Sequence, residues 1–471
     1  MPSPQPSSVL RSPKLWIGSG LILAVVSTLF ALLYVGGNVN PKGNLRDLPV
    51  ALVNSDRGAD TGGKHVNLGE QVVAGIEKSA ASNRSIAWQV MTRQEADKRL
   101  GQGKLYGALV VPADFTTSVA GLTAAPQQGQ GQAQGQGQAQ GQAQAQGQAP
   151  QGQTQPQGQG QAQPQPARPT LTVLTNQSAG SIGSSMASGA SQKAAHAASA
   201  QLGKDLLGRA AGQGAQLSPA AKLMLADPVA VEVADGHPLG ARSAMGLSAF
   251  YYALVLLVCG MLAANVVNSQ VDNALGYLHT DFGPFRQRTP VRHTSRVRTL
   301  AVNTVIMLGL SVVMGSLVEA TTVGLLDMDA SHLGLLWLYS VGTIAVVGIS
   351  GLALLAVFGT PGMLLSTIVF IAMAVPSSGA TVPLEALPGF FRTLSEFEPL
   401  RQLTGGLRSI LYYGAQADAG LTRAWTAMGI ALAVSLVFGF GMTRLYDRKG
   451  LHRIPRPEGE TADAAAEPVN A

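Results

Sequence analysis

Residues 333–384 read LGLLWLYSVGTIAVVGISGLALLAVFGTPGMLLSTIVFIAMAVPSSGATVPL, without one Asp, Glu, Lys or Arg. A bilayer core of ~30 Å is crossed by about 20 apolar residues at 1.5 Å rise per residue. The run is too long for one helix, and Gly359-Thr360-Pro361-Gly362 divides it. Two spans are therefore predicted, 334–357 and 362–377. The second is the shorter and ends in Pro376, Ser377 and Ser378, a composition that would bend it or leave it partly re-entrant.

Working outward, four more charge-free runs appear at 15–35, 246–268, 299–318 and 424–443, which makes six spans. The first could instead be a signal peptide, with Arg11 and Lys14 before it and Val35-Gly36-Gly37 as a cleavage site. Its apolar stretch exceeds the ~7–15 residues of a signal h-region, which favours an uncleaved anchor. Composition agrees with a membrane class. Charged residues are 12% of the 471, about half the usual ~25%, while hydrophobic residues are 46%. Cys259 is the only cysteine, so no internal disulfide can form. A uniformly soluble enzyme and a disulfide-stapled secreted domain are both excluded.

Orientation follows from Lys and Arg. Arg11 and Lys14, the loop with Arg286, Arg288, Arg292, Arg296 and Arg298, and the tail with Arg444, Arg448, Lys449, Arg453 and Arg456 share one side if there are six spans. Both termini, 1–14 and 444–471, are then cytoplasmic, and 36–245 and 378–423 lie outside. The net charge of +6 is thus mostly a topology signal, with no implication of nucleic-acid binding. One feature opposes it: the outer 378–423 loop carries Arg392, Arg401, Arg408 and Arg423.

Within 36–245, residues 124–167 contain only Ala, Gly, Gln and Pro apart from Thr154. No side chain there offsets ordering entropy, so the tract reads as a disordered insertion. Its flanks alternate between strand and helix patterns. Strands are expected at 48–53, 86–91, 106–111, 170–174 and 229–233. Helices are expected at 67–78, from the Thr92/Glu95 capping box to Leu100, and at 179–211. This is an α/β layered domain.

Catalytic motifs are missing. Gly58 to Lys64 matches G-x-x-x-x-G-K, but His65 replaces the hydroxyl residue that would hold magnesium, and a turn is the better reading. The seven histidines include no H-E-x-x-H, and there is no G-x-S-x-G elbow. Asn83 and Asn176 head glycosylation triplets, a pattern that often arises by chance. No catalytic, cofactor or metal residue is assigned, and the chain reads as a non-enzyme. Because no ionisable residue sits mid-span, an ion-driven carrier is disfavoured. Residues 270–297 place Phe282 and Phe285 beside Arg286 and Arg288, either as an amphipathic docking element for a cytoplasmic protein or as a solvated basic loop. In 399–414, Leu400, Leu403, Leu407, Ile410 and Leu411 fall at helical spacing, with Arg401 and Arg408 on one face. That is either an interfacial helix capping the bundle or a plain surface helix.

The stretch Leu48-Pro49-Val50-Ala51-Leu52-Val53-Asn54-Ser55-Asp56-Arg57-Gly58 resembles the signature of the phage-infection-protein (Pip/YhgE-like) family, with Pro49, Val50, Asn54, Asp56 and Gly58 as its marked positions. Gly69, residues 103–115 (GKLYGALVVPADF), Leu387 to Phe391, Leu407 to Ile410 and Tyr413-Gly414 continue the likeness; the 124–167 tract departs from it. The resemblance implies an α-helical polytopic protein of the bacterial plasma membrane, related to ABC-2-type permeases. It would have six transmembrane helices, an extracytoplasmic α/β domain between the first and second, and a five-helix block at 246–443. It further implies a dimer, homo- or hetero-, working with a separate ABC ATPase subunit. Two functions are expected to compete: an export permease subunit, and a membrane-anchored receptor or secretion scaffold that binds partners without transport.

Overall fold

The computed structural model describes residues 13–34, 36, 40–61, 64–80, 84–128, 168–212, 217–278, 280–282, 285–287, 290–451 and 453. Pro13–Tyr34 form helix α1. The α/β part follows: β1 Leu48–Asn54, β2 Ala59–Thr61, β3 Lys64–Val66, α2 Leu68–Ala80, β4 Ile86–Val90, α3 Arg93–Leu100, β5 Gly107–Val111, α4 Phe115–Gln128, β6 Thr170–Thr175, α5 Ser181–Gly212, α6 Pro219–Ala226 and β7 Ala230–Asp235. Each expected strand and helix is present within a residue or two. Thr92 caps α3 by accepting a hydrogen bond from the Glu95 N–H. Helix α4 had no counterpart in the sequence reading, and its last turn takes in 124–128. The expected disordered tract is corrected at that edge, and the rest of it lies outside the described residues.

The five-stranded sheet runs β4-β1-β5-β6-β7. β1 is parallel to β4 and β5, and β6 is antiparallel to β5 and parallel to β7. Alternation in β1 decides its faces: Leu52 packs with α2, α4 and α5, while Ala51 and Val53 pack with Ala96 and Leu100 of α3. On either side of Gly62 and Gly63, which lie outside the described residues, the G-x-x-x-x-G-K stretch contributes Ala59–Thr61 and Lys64 to the antiparallel pair β2–β3.

The remaining chain is helical: α7 Ser248–Ala274, a short hairpin of β8 Thr280–Phe282 and β9 Phe285–Gln287, α8 Arg296–Glu319, α9 Leu333–Phe358, α10 Thr360–Thr367, α11 Ala374–Ser377, α12 Gly389–Phe397, α13 Pro399–Tyr412 and α14 Leu421–Arg448. Among the described residues, five helices are long and apolar enough to cross a membrane: Ser248–Ala274, Arg296–Leu325, Leu333–Phe358, Thr360–Ser377 and Leu421–Arg448. One differs from expectation, and one shows the irregularity expected of it. The span set at 299–318 extends through a wide π-type turn over Ala320–Leu325, so Glu319 lies inside it rather than in a loop. The short span is irregular, as its composition implied, with a π-type turn over Ile368–Ala372 between α10 and α11. One core of α7, α8, α9, α13 and α14 side chains holds the bundle, with α9 at its centre. The end of α1 meets the irregular span, where the Tyr34 hydroxyl donates to the Ile371 carbonyl at 3.3 Å.

Candidate functional site

Asp56, from the signature stretch, lies just beyond the C-terminal end of β1 and is 8% exposed. In open α/β sheets this edge is where anionic ligands meet helix N-termini. Here the chain's own carboxylate fills the place. Asp56 Oδ1 accepts from the Gly58 and Thr116 N–H groups at 3.2 and 3.1 Å. Oδ2 accepts from the Gly69 N–H at 3.0 Å and from the Thr116 hydroxyl. Asn54 Oδ1 accepts from the Asp56 N–H at 3.0 Å. Gly69 has no alternative: a Cβ there would stand 2.4 Å from Asn54 Oδ1. Gly58 holds a φ of +71°. Asn54, Asp56 and Gly58 are thus a closed structural clasp, and Pro49 and Val50 lie in the strand before it. Asn176 is also structural. It is fully buried, its Nδ2 donating to the Leu100 and Leu105 carbonyls at 2.9 and 2.8 Å, so its glycosylation triplet is inaccessible.

A second polar cluster is open. It lies where the sheet layer meets the near end of the bundle, and α13 organises it. Pro399 starts that helix and Glu398 caps it, accepting from the Arg401 N–H at 3.1 Å. Leu400, Leu403, Leu407 and Ile410 are buried in the bundle core. Gly406 permits the close crossing, since a Cβ there would meet the Tyr339 hydroxyl at 2.4 Å. The helix thus packs one face into the bundle core, while Tyr412 at its end meets His237 of the sheet layer.

The joint itself is polar. Gln102 Nε2 donates to Asp418 Oδ2 at 2.8 Å, and the Lys104 ammonium lies 3.4 Å from the same oxygen. His237 Nε2 is 2.9 Å from the Tyr412 carbonyl oxygen, and its ring lies 5.5 Å from that of Tyr413. The Tyr106 hydroxyl donates to Glu385 Oε2 at 3.3 Å. Burial, then the Glu385 charge, raises the Tyr106 pKa; burial raises that of Glu385 and pushes Tyr413 up to about 12. Arg408 Nε and Nη2 are buried without a hydrogen-bond partner.

Beside this joint is a cavity of about 520 Å³ lined by Arg46, Asp47, Glu385, Arg392, Glu396, Arg401 and Arg423, among others. Arg392 Nη2 donates to the Glu385 carbonyl at 3.0 Å, while its Nε is buried without a partner. Arg401 Nη1 donates to the Ser395 carbonyl and hydroxyl at 3.0 and 2.9 Å. Burial, then repulsion from Arg423, lowers the Arg401 pKa. Glu398 is 3% exposed, and burial pushes its carboxyl up to about 8. Among the described residues, none of Arg46, Arg392, Arg401 and Arg423 forms an ion pair. The four arginines that contradicted the orientation signal thus have another reason to be there: three line this hollow and the fourth, Arg408, lies in the joint. Sequence reasoning missed Tyr106, Glu385 and Glu398. Only Glu398 carried a signal, an acid directly before the proline that opens a helix.

At the far end of the bundle, Asn268, Asp272, Tyr277, Gly359, Thr360 and Arg453 surround a cavity of about 370 Å³. Arg453 is ion-paired with Asp272 and lies over the Tyr277 ring at 5.7 Å from its centroid. The β8–β9 hairpin emerges here, pairing Phe282 with Phe285 and Asp281 with Arg286 along the backbone; Arg288 lies outside the described residues.

One family model, described as a protein of unknown function (DUF3533), matches residues 19–136 and 154–431, well over half the chain. The stretch it skips falls inside the Gln/Gly/Ala/Pro tract. No curated protein and no solved structure matches the chain.

Proposed function

The chain belongs to the DUF3533 family, and we propose that it is the membrane permease subunit of an ABC-2-type exporter, energised by a separate ATPase. In this reading it is a multi-pass protein of the bacterial plasma membrane, a homo- or heterodimer, with 15–35 as a sixth span, both termini cytoplasmic and the sheet layer outside. The observation that carries it is the convergence at the far end of the bundle. There the end of α7, Tyr277 and Leu278 just before the β8–β9 hairpin, the turn at Gly359 and the tail residue Arg453 meet around one cavity, a surface through which a partner's motion can reach α7, α9 and α10 together. The central turns of the long apolar helices carry no Asp, Glu, Lys or Arg, Glu319 lying near one end of its helix; this supports an external energy source, and the resemblance of 48–58 to the phage-infection-protein family agrees with it. The receptor or scaffold reading has one observation in its favour, a groove of about 550 Å³ between α2 and α5 lined by Val72, Ile76, Trp88, Ala194 and Leu202.

The test is co-purification of an ATPase with the full chain. Phe282→Ala with Phe285→Ala should weaken its binding, because aromatics often carry much of an interface's energy. Arg286→Gln with Arg288→Gln should mainly slow association. If no ATPase co-purifies with the wild type, the permease reading fails and the scaffold reading replaces it. Reporter fusions at Gln127, Ser331 and Ala415 should read outside, and those at Gln287 and Glu458 inside. The opposite pattern inverts the placement.

A further inference from the structure

A second cavity adjoins the arginine-lined hollow. That one, of about 650 Å³, lies between α9, the irregular span and α14, and its walls include Val346, Val347, Phe370, Met428, Ala431 and Val434. Glu396, Phe397 and Arg423 line both. Polar and apolar halves therefore share one wall. Along α14 the lining runs from Arg423 to Val434, which at 1.5 Å per residue is about 16 Å. Half of a ~30 Å bilayer core is about 15 Å. The apolar half has the depth of one leaflet, and Phe397, 79% exposed, stands at its rim.

The charge of the upper half is unbalanced. Arg46, Arg392, Arg401 and Arg423 face Asp47, Glu385 and Glu396, and none of these arginines is ion-paired among the described residues. The nearby Glu398 carboxyl caps a helix and lines neither cavity. Unpaired guanidinium groups gathered around one hollow, Arg392 and Arg401 half-buried and Arg46 and Arg423 exposed, favour an incoming anion, which they grip by charge-assisted hydrogen bonds. A small anion would leave the lower half empty. A zwitterionic lipid would fill both halves but bring no net charge.

We propose that the joined cavities bind one anionic membrane lipid, its headgroup against Arg392, Arg401 and Arg423 and an acyl chain along the groove from Val346 to Val434. The binding does not rest on the permease reading.

The experiment uses the full chain in non-ionic detergent. Dioleoyl phosphatidylglycerol, dioleoyl phosphatidylcholine and glycerol 3-phosphate are titrated separately, with bound lipid counted by native mass spectrometry. The anionic lipid should bind about tenfold more tightly than the zwitterionic one, as one or two hydrogen bonds to charged groups allow. Glycerol 3-phosphate should not bind measurably. Arg423→Gln should abolish most of the preference; that side chain is exposed and unpaired, so folding should persist. Ala431→Trp, which fills the groove, should weaken both lipids alike. Equal binding of the two lipids, a preference that survives Arg423→Gln, or glycerol 3-phosphate binding as well as the anionic lipid would overturn the proposal. So would full binding in Ala431→Trp. Anionic lipid bound normally where no ATPase co-purifies would sink the permease reading and leave the site standing.

Discussion

The buried carboxylate of Asp56 and the half-buried guanidinium groups of Arg392 and Arg401 are charged groups drawn wholly or partly away from water, and the chain treats them in opposite ways. Asp56 receives three backbone N–H groups and a hydroxyl, all from its own sheet layer. Arg392 and Arg401 receive carbonyl and hydroxyl oxygens but no carboxylate, and Arg392 Nε receives nothing. A buried charge that is fully hydrogen-bonded is complete and serves the fold. One left short of partners costs stability, which a ligand can restore. The signature stretch thus serves the architecture, and the 392–423 region carries the charges that the proposed lipid would meet. Both are dense in polar residues, and density alone would not have separated them.

The sharpest way to break this contrast is to empty the clasp. Asp56→Ala would strand the Gly58, Gly69 and Thr116 N–H groups. The Gly69 and Thr116 groups are buried and that of Gly58 is half-buried, so at about 1–3 kcal/mol for each unmet buried donor the sheet layer should lose at least about 2 kcal/mol. Hydrogen exchange across 48–54 should rise accordingly, while the bundle helices stay protected. Unchanged exchange in β1 would show that the clasp is not structural.

A smaller effect tests the other side. The folded Glu398 carboxyl, at about 8, lies above its ordinary value of 4.5. The folded state therefore keeps a proton that the unfolded chain releases. Stability contributed by this group is full below pH 4.5 and falls as pH rises to about 8, by up to about 1.4 kcal/mol per pH unit. Glu385 shifts in the same direction, so a weaker slope should remain when Glu398 is replaced. Glu398→Gln keeps an oxygen for the Arg401 N–H and cannot ionise. Its melting temperature between pH 5 and 8 should fall less than that of the wild type. Equal slopes would mean that Glu398 titrates normally.

The smallest effect is expected where neither kind of cluster exists. Deleting 137–153, which the family match skips, removes no apolar side chain larger than alanine or proline. Stability should change by less than about 0.5 kcal/mol. A larger fall, read by thermal denaturation of the full chain, would show that the tract packs.

Much of the fold was written in local pattern. Charge-free runs located the long helices, because a helix that crosses lipid must be apolar along its length whatever packs beside it. Alternation and capping located the strands and the start of α3 at Thr92, because those signals act within a few residues. His65 in place of a hydroxyl was enough to reject a phosphate loop at Gly58. Other features depended on contacts between distant residues, and no local pattern contained them. Asp56 looked like a family signature until Thr116, 60 residues away, was found holding it. Arg392, Arg401, Arg408 and Arg423 looked like a flaw in the orientation signal until Arg46, Glu385 and Tyr106 were found beside them. The sequence by itself determined which segments are apolar, which alternate and where helices begin, since burial and hydrogen bonding impose those rules residue by residue. Only the tertiary structure decided which charges are satisfied and which are left open, because a partner for a buried charge can come from any part of the chain that the fold brings within 3 Å.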